Sequence, residues 1–144
     1  MQTRINANTN TQTPGILVLS HGPLAIALLE SAELIYGGPI ENAAAFTLEE
    51  DDEPGEYREA FMNAYHDMPA GSLILMDIFG GSPCNQLMIG AKREGLHVLA
   101  IAGINLPTLL NATFLRNTYE GESLVQKLVE EGQESMINVT ERLR

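Results

Sequence analysis

The sequence predicts an α/β fold in which helices cover both faces of an open, doubly wound, mainly parallel sheet. Short continuous apolar runs alternate four times with segments of helical period, and Gly or Pro residues separate most of them. Continuous apolar runs are typical of strands that are buried on both faces, as in parallel sheets. Parallel strands need crossover connections, which helices supply. We therefore expect four parallel strands, for which we adopt the spatial order 2-1-3-4 as a hypothesis.

The first predicted strand covers residues 15–20 and ends directly before His21. The helix that follows has apolar residues spaced four, four and three apart, which places them on one helical face: Leu24, Leu28, Ala32 and Ile35. Two consecutive glycines, at positions 37 and 38, are expected to end this helix.

The second predicted strand, residues 43–48, is weaker and leads into five consecutive carboxylates at 49–53. We interpret this acidic run as a solvated loop, with the steering of a partner as the alternative. Pro54 is expected to open the second helix.

The third predicted strand, residues 73–76, ends at Asp77 and leads into a Gly-Gly-Ser-Pro turn. Ser82 followed by Pro83 is typical of an N-cap and the first helical position. This helix is expected to end at Gly95, before a fourth strand at 98–101.

The C-terminal third begins with a Gly- and Pro-containing loop, residues 103–107, and a helix that continues toward Leu115. A last amphipathic helix is predicted from Ser123 to about Gly132. Periodicity alone does not decide whether residues 136–139 form an edge strand or another helical turn.

Length and composition predict one folded domain in 144 residues, 44% of which are hydrophobic. Residues 1–14 are rich in Thr, Asn and Gln, and we expect a disordered leader there, followed by one domain at 15–144. No apolar run approaches the roughly 20 residues of a membrane span, so a soluble protein is expected.

Charge and cysteine content narrow the classes of partner and compartment. A net charge of −11 argues against nucleic-acid binding, which needs clustered Lys and Arg. The single cysteine, Cys84, cannot form an internal disulfide, which favours the cytoplasm.

The ends of the predicted strands supply one candidate site. In the order 2-1-3-4 the first and third strands are neighbours, which brings His21 and Asp77 together where ligands of such sheets bind. A carboxylate that accepts a proton from one imidazole nitrogen leaves the other free as a nucleophile. Small residues at Gly80 and Gly81, with the hydroxyl of Ser82, suit a turn that binds an anion.

Other chemistries lack their residues. The sequence has neither a Walker motif for a nucleotide nor a convincing set of Cys and His ligands, so we expect no cofactor and no metal. His66 and His97 are expected to be structural or surface residues.

Three segments resemble the mannose family (mannose, fructose and sorbose) of phosphotransferase-system enzyme IIA components. These are ILVLSHG at 16–22, MDIFGGSPCN at 76–85 and GINLP at 103–107. The resemblance implies that His21 accepts a phosphoryl group, that Asp77 is its partner and that Gly81 and Ser82 lie near that group.

The resemblance also implies partners and an assembly. The phosphoryl group would come from phosphohistidine on HPr and pass to the cognate IIB component, which serves a membrane permease for sugar uptake. It further implies a homodimer that exchanges a C-terminal antiparallel edge strand, for which residues 136–139 are the candidate. Nothing in the sequence names the sugar.

Three alternatives remain open from the sequence. A free-standing regulator could sense the phosphorylation state of His21, and the phosphotransfer subunit of dihydroxyacetone kinases also has a histidine after its first strand. That subunit lacks the Gly-Gly-Ser-Pro turn. A flavodoxin-like nucleotide binder is disfavoured because His-Gly-Pro stands where a phosphate loop would be.

Overall fold

The structure is a computed structural model that describes residues 1–6 and 12–144. Its elements in chain order are β1 (Gln2–Ile5), β2 (Ile16–His21), α1 (Leu24–Tyr36), β3 (Ala43–Leu48), α2 (Pro54–His66), β4 (Leu73–Met76), α3 (Ser82–Glu94), β5 (Leu99–Ala102), α4 (Leu106–Leu115), α5 (Gly121–Glu134) and α6 (Val139–Arg142).

The strands form one sheet in the order β1-β3-β2-β4-β5. The last four are parallel to one another, and β1 is antiparallel to β3. Numbered among themselves along the chain, the four parallel strands lie in the order 2-1-3-4. The predicted α/β class is confirmed, and β2 and β4 are neighbours whose carboxyl ends lie at one edge.

Helices cover both faces of the sheet. Ile16 and Val18 of β2 pack on one face with α1, α4 and α5, whereas Leu17 and Leu19 pack on the other with α2 and α3. Since side chains alternate along a strand, a strand with two covered faces needs apolar residues at every position. The continuous apolar run follows from this burial.

The buried face of α1 differs from the prediction. Ala25, Leu29 and Ala32 face the core, whereas Leu24 is 44% exposed and Ile35 is 61% exposed. The Ser20 hydroxyl accepts a hydrogen bond from the Ala25 N–H at 2.7 Å and so fixes how the helix is turned against the sheet. Spacing predicted the helix but selected a face that is rotated by about one residue.

The predicted disordered leader at 1–14 is wrong for its first residues, because Gln2–Ile5 form the antiparallel edge strand β1. Its backbone pairs with β3, and the Arg4 guanidinium forms an ion pair with Glu33 of α1. These long-range contacts have no signal in a short polar segment. Residues 7–11 lie outside the described part of the chain.

The C-terminal edge strand is not present within the chain. Residues 136–138 have no regular structure, and α6 follows, with the Asn138 side chain accepting from the Glu141 N–H at 3.3 Å. That cap favours a helical turn. The antiparallel edge of this sheet comes from the N-terminus instead.

Arg116, at the end of α4, links the segments that directly precede two strands. Its Nη1 donates to the carbonyls of Pro14 and Glu41 at 2.9 and 2.8 Å, just before β2 and β3. Burial lowers the pKa of Arg116 from its ordinary value, although a guanidinium remains charged. No helix in the described parts of the chain is long and apolar enough to cross a membrane.

Candidate functional site

His21 and Asp77 lie side by side at the carboxyl ends of β2 and β4. The two strands are in register with Leu19 opposite Met76, and the Asp77 N–H donates to the Leu19 carbonyl at 3.2 Å. β2 ends in His21, and Asp77 directly follows β4, so both polar residues lie at the same edge of the sheet. The structure thereby brings together two residues that are 56 positions apart in sequence.

Three hydrogen bonds hold the Asp77 carboxylate. Its Oδ2 lies 2.8 Å from His21 Nδ1 and accepts from the His21 backbone N–H at 2.9 Å. Its Oδ1 accepts from the Ile78 N–H at 2.9 Å. An ionised carboxylate only accepts, so the neutral imidazole carries its proton on Nδ1. The lone pair is then on Nε2.

The imidazole faces an open cavity of about 500 Å3, which Gly22, Leu48 and Ser82 also line. The His21 side chain is 46% exposed, whereas that of Asp77 is 11% exposed. Among the described residues, His21 Nε2 has no hydrogen-bond partner. Asp77 thus holds the ring at Nδ1, and the ring is accessible from the cavity.

Gly81 packs against the imidazole so closely that no side chain fits there. A Cβ at this position would lie 3.0 Å from His21 Nε2 and closer still to Cε1. Gly80 has φ +84°, a left-handed conformation that favours glycine. The geometry therefore explains why glycine occupies both positions of the predicted turn.

Helix α3 begins at Ser82, with Gly81 as its N-cap and no side-chain cap. The prediction that Ser82 itself caps the helix is wrong, because Ser82 is its first residue. Its side chain lines the His21 cavity, next to the first turn of the helix. The N–H groups of a first helical turn lack intrahelical partners and favour anions.

The acidic run at 49–53, hereafter the acidic loop, forms another wall of this cavity through Glu49, Glu50 and Asp52. Its interpretation as a merely solvated loop is incomplete. Glu53 is the N-cap of α2 and accepts from Gly55 and Glu56 N–H groups at 2.9 and 2.7 Å. The sequence did contain a signal for this placement. The loop follows a strand predicted to be parallel, and it therefore begins at the same edge of the sheet as His21.

The third predicted segment, residues 103–107, lies beside β4 but does not line the His21 cavity. The Ile104 N–H donates to the Met76 carbonyl at 3.2 Å, and Asn105 caps α4. Ile104 and Asn105 line a separate cavity of about 310 Å3 against α5.

The remaining candidate side chains lie outside the site. Cys84 is buried in the core. His66 is half exposed and pairs with Glu94 at 2.7 Å, and His97 is largely exposed, 3.5 Å from Glu122.

Comparison with known proteins identifies the family of this chain. A family model described as the PTS system fructose IIA component, where PTS denotes the phosphotransferase system, matches residues 15–129. The chain belongs to this mannose/fructose family of PTS IIA components. It is 31% identical over 130 residues to the fructose-specific EIIA component of Bacillus subtilis (strain 168), covering 89% of this chain and 88% of that protein. The family relationship favours a IIA component over the alternatives left open by the sequence.

Other relatives are longer or more distant. The mannose-specific EIIAB component of Escherichia coli (strain K12) is 33% identical over 132 residues, which cover 86% of this chain but 39% of that protein. The chain thus spans about two fifths of this relative's length. The crystal structure of EIIA from Streptococcus agalactiae has a TM-score of 0.79 at 23% identity and covers 88% of this chain and 97% of that one, which supports the fold.

Proposed function

We propose that this protein carries a phosphoryl group on His21 Nε2, receives it from phosphohistidine on HPr and passes it to a cognate IIB component. The observation that carries the proposal is the 2.8 Å contact between His21 Nδ1 and the Asp77 carboxylate. This contact favours the tautomer in which Nε2 keeps its lone pair, and the ring faces an open cavity. Both features support Nε2 as the nucleophile.

Transfer between two histidines exchanges one P–N bond for another. His21 Nε2 attacks the phosphorus in line, a new P–N bond forms, and the donor imidazole leaves with the electron pair of the broken bond. Asp77 stabilises the positive charge that develops on the His21 ring. We assign binding of the phosphoryl oxygens to the Ser82 hydroxyl and to the backbone N–H groups of Ser82 and Cys84 at the start of α3, which is supported by the position of Ser82 in the wall of the His21 cavity. These residues supply positioning and charge stabilisation without a metal or a cofactor.

The wider assembly is also part of the proposal. We place the protein in the cytoplasm, where it serves a membrane permease indirectly through the IIB component. We further propose a homodimer in which the apolar C-terminal residues contact a second copy, because Met136, Ile137 and Val139 are exposed in the single chain. The C-terminal segment of the second copy would pair with the outer side of β5, which is an edge strand of the sheet.

Phosphorylation in a reconstituted system tests the central claim. Wild-type protein incubated with enzyme I, HPr and radiolabelled phosphoenolpyruvate should gain acid-labile phosphate. His97→Ala, which removes an exposed histidine, should label like the wild type, and His21→Ala should not label. Labelling of His21→Ala at the wild-type level would show that another residue is the acceptor.

Transfer onward separates a carrier from a sensor. Both become labelled, but a carrier should lose its phosphate rapidly when the cognate IIB component is added. Retention of the label in the presence of IIB would favour a regulator.

A further inference from the structure

Strand β1 lies outside the matched family region, which begins at residue 15. It runs antiparallel to β3, with Gln2 opposite Thr47 and Ile5 opposite Ala44. Because β3 ends at the edge of the sheet that contains His21, the beginning of β1 lies at that same edge. β1 therefore reaches the acidic loop from the outer side of the sheet.

Thr47 connects β1 to the acidic loop. Its side chain is fully buried, and its Oγ1 accepts from the Gln2 N–H at 2.9 Å and lies 2.9 Å from Glu49 Oε1, to which the hydroxyl can donate. The Glu49 N–H in turn donates to Asp52 Oδ2 at 2.7 Å. A continuous series of hydrogen bonds thus joins β1 to two carboxylates that line the His21 cavity.

The far end of β1 is attached to α1. The side-chain amide of Asn6 donates to Glu33 Oε2 and to the Ile40 carbonyl, both at 2.8 Å. Glu33 is buried and also pairs with Arg4. Ion pairs and hydrogen bonds that are largely removed from solvent hold better than exposed ones. The strand is therefore fixed at both ends.

We propose that Thr47, held by β1, is a positioning residue that keeps the acidic loop in place as the wall of the His21 cavity. The inference rests on the proposed function, because it concerns access of a protein phosphoryl donor to His21. It assigns β1 a role in presenting carboxylates to basic side chains of that donor.

Loosening of the acidic loop is expected to affect binding of the donor and not the phosphoryl-transfer step. His21, Asp77 and Gly81 are fixed by β2, β4 and the turn before α3, so a loosened acidic loop leaves the reacting groups in place. Ordered carboxylates at the rim accelerate encounter with a basic partner, and salt weakens that effect. Loss of order should therefore raise KM for the donor and reduce its dependence on salt, with little change in kcat.

Thr47→Val and Thr47→Ser form the matched pair for the test. Valine keeps the shape but removes the hydroxyl, whereas serine keeps the hydroxyl. We expect Thr47→Val to raise KM for phosphorylated HPr about three- to tenfold, with kcat changed by less than about twofold. Its KM should also depend less on salt, and Thr47→Ser should restore the wild-type values.

A second variant tests β1 from its far end. Arg4→Ala combined with Asn6→Ala removes the attachment to α1 without touching the cavity, and should shift KM in the same direction. Lys127→Ala, which removes a partly exposed cation paired with Glu131 outside the cavity, is the control and should leave KM unchanged. Amide hydrogen exchange at Glu49 and Asp52 should accelerate in both Thr47→Val and the double variant.

Three outcomes would overturn the inference. These are unchanged KM and exchange in Thr47→Val and in the double variant, a loss confined to kcat, or equal impairment of Thr47→Val and Thr47→Ser. Failure of the wild type to become phosphorylated would instead contradict the proposed function. Hydrogen exchange would then still test whether Thr47 and β1 order the acidic loop.

Discussion

The Asp77 carboxylate accepts from both the backbone N–H and the ring of His21, at 2.9 and 2.8 Å to the same oxygen. One residue thus fixes the end of a neighbouring strand and the orientation of its last side chain. The Ile78 N–H holds the second carboxylate oxygen, so the carboxylate cannot rotate without losing a hydrogen bond. Orientation of the imidazole therefore depends on the pairing of β2 with β4.

Replacement of Asp77 by Asn should slow phosphoryl transfer and preserve the fold. The amide keeps the shape but lacks the negative charge that, in the proposed mechanism, stabilises the ring when positive charge develops. We expect the rate of transfer from HPr to fall roughly 10²-fold or more in rapid-quench measurements. Circular dichroism should show an unchanged fold. Wild-type transfer kinetics would remove the orienting role of Asp77.

Gly81→Ala should impair transfer by displacing the His21 ring. The added methyl group would lie 3.0 Å from Nε2 and closer still to Cε1, so the imidazole must shift from the position in which Asp77 holds it. We expect a rate loss of about tenfold or more, since small misplacements of reacting groups are costly. A changed His21 ring resonance in NMR spectra should accompany the loss.

Gly38→Ala is the matched control for Gly81→Ala. A Cβ at Gly38 meets no atom within 4 Å, and this glycine follows α1, whereas Gly81 lies in the site. The control should transfer phosphate like the wild type. Equal losses in the two variants would point to a general effect of the Gly→Ala change.

Arg116→Met should destabilise the protein without altering the site. The change removes donors to the carbonyls of Pro14 and Glu41, which leaves both oxygens unsatisfied in a partly buried position. We expect a loss of about 2–4 kcal/mol in the free energy of unfolding, measured by urea denaturation. Lys127→Met, at a partly exposed ion pair, should cost less than about 1 kcal/mol. Similar losses for both would contradict the proposed bracing by Arg116.

Glu53→Ala should cost stability at neutral pH but less in acid. Hydrogen bonds from the Gly55 and Glu56 N–H groups lower the pKa of Glu53 from its ordinary value. A lowered pKa means that the stabilisation is present above the unfolded-state pKa and is lost as pH falls through the folded-state pKa. Melting temperatures of the wild type and the variant should therefore converge as pH falls. A difference in melting temperature that stays constant as pH falls would contradict stabilisation of α2 by an ionised Glu53.

The sequence predicted the parts of the fold in which local pattern and burial agree. The run at 16–19 is apolar at every position because both faces of β2 are covered. The inner face of α1 was less predictable, since the Ser20–Ala25 hydrogen bond decides how the helix is turned. β1 was missed because its stability comes from pairing with a distant strand, as between Gln2 and Thr47, which are 45 residues apart.

The site shows the same division. His21, Asp77 and the glycine turn were predictable because parallel strands place their carboxyl ends at one edge. The contact of Gly81 with the imidazole and the wall formed by the acidic loop were not predictable from the sequence, because they depend on the packing of α3 and on the path of the chain after β3.

The sequence by itself determined the alternation of strands and helices, the polar residues at the strand ends and the resemblance to a IIA family. These are local or short-range features, expressed in periodicity and in motifs of a few residues. The tertiary structure alone decided which imidazole nitrogen is held, which residues enclose His21 and that the N-terminal strand reaches the acidic loop. The reason is physical: hydrogen-bond geometry and packing between distant segments depend on interatomic distances of a few ångströms, which residue spacing does not specify.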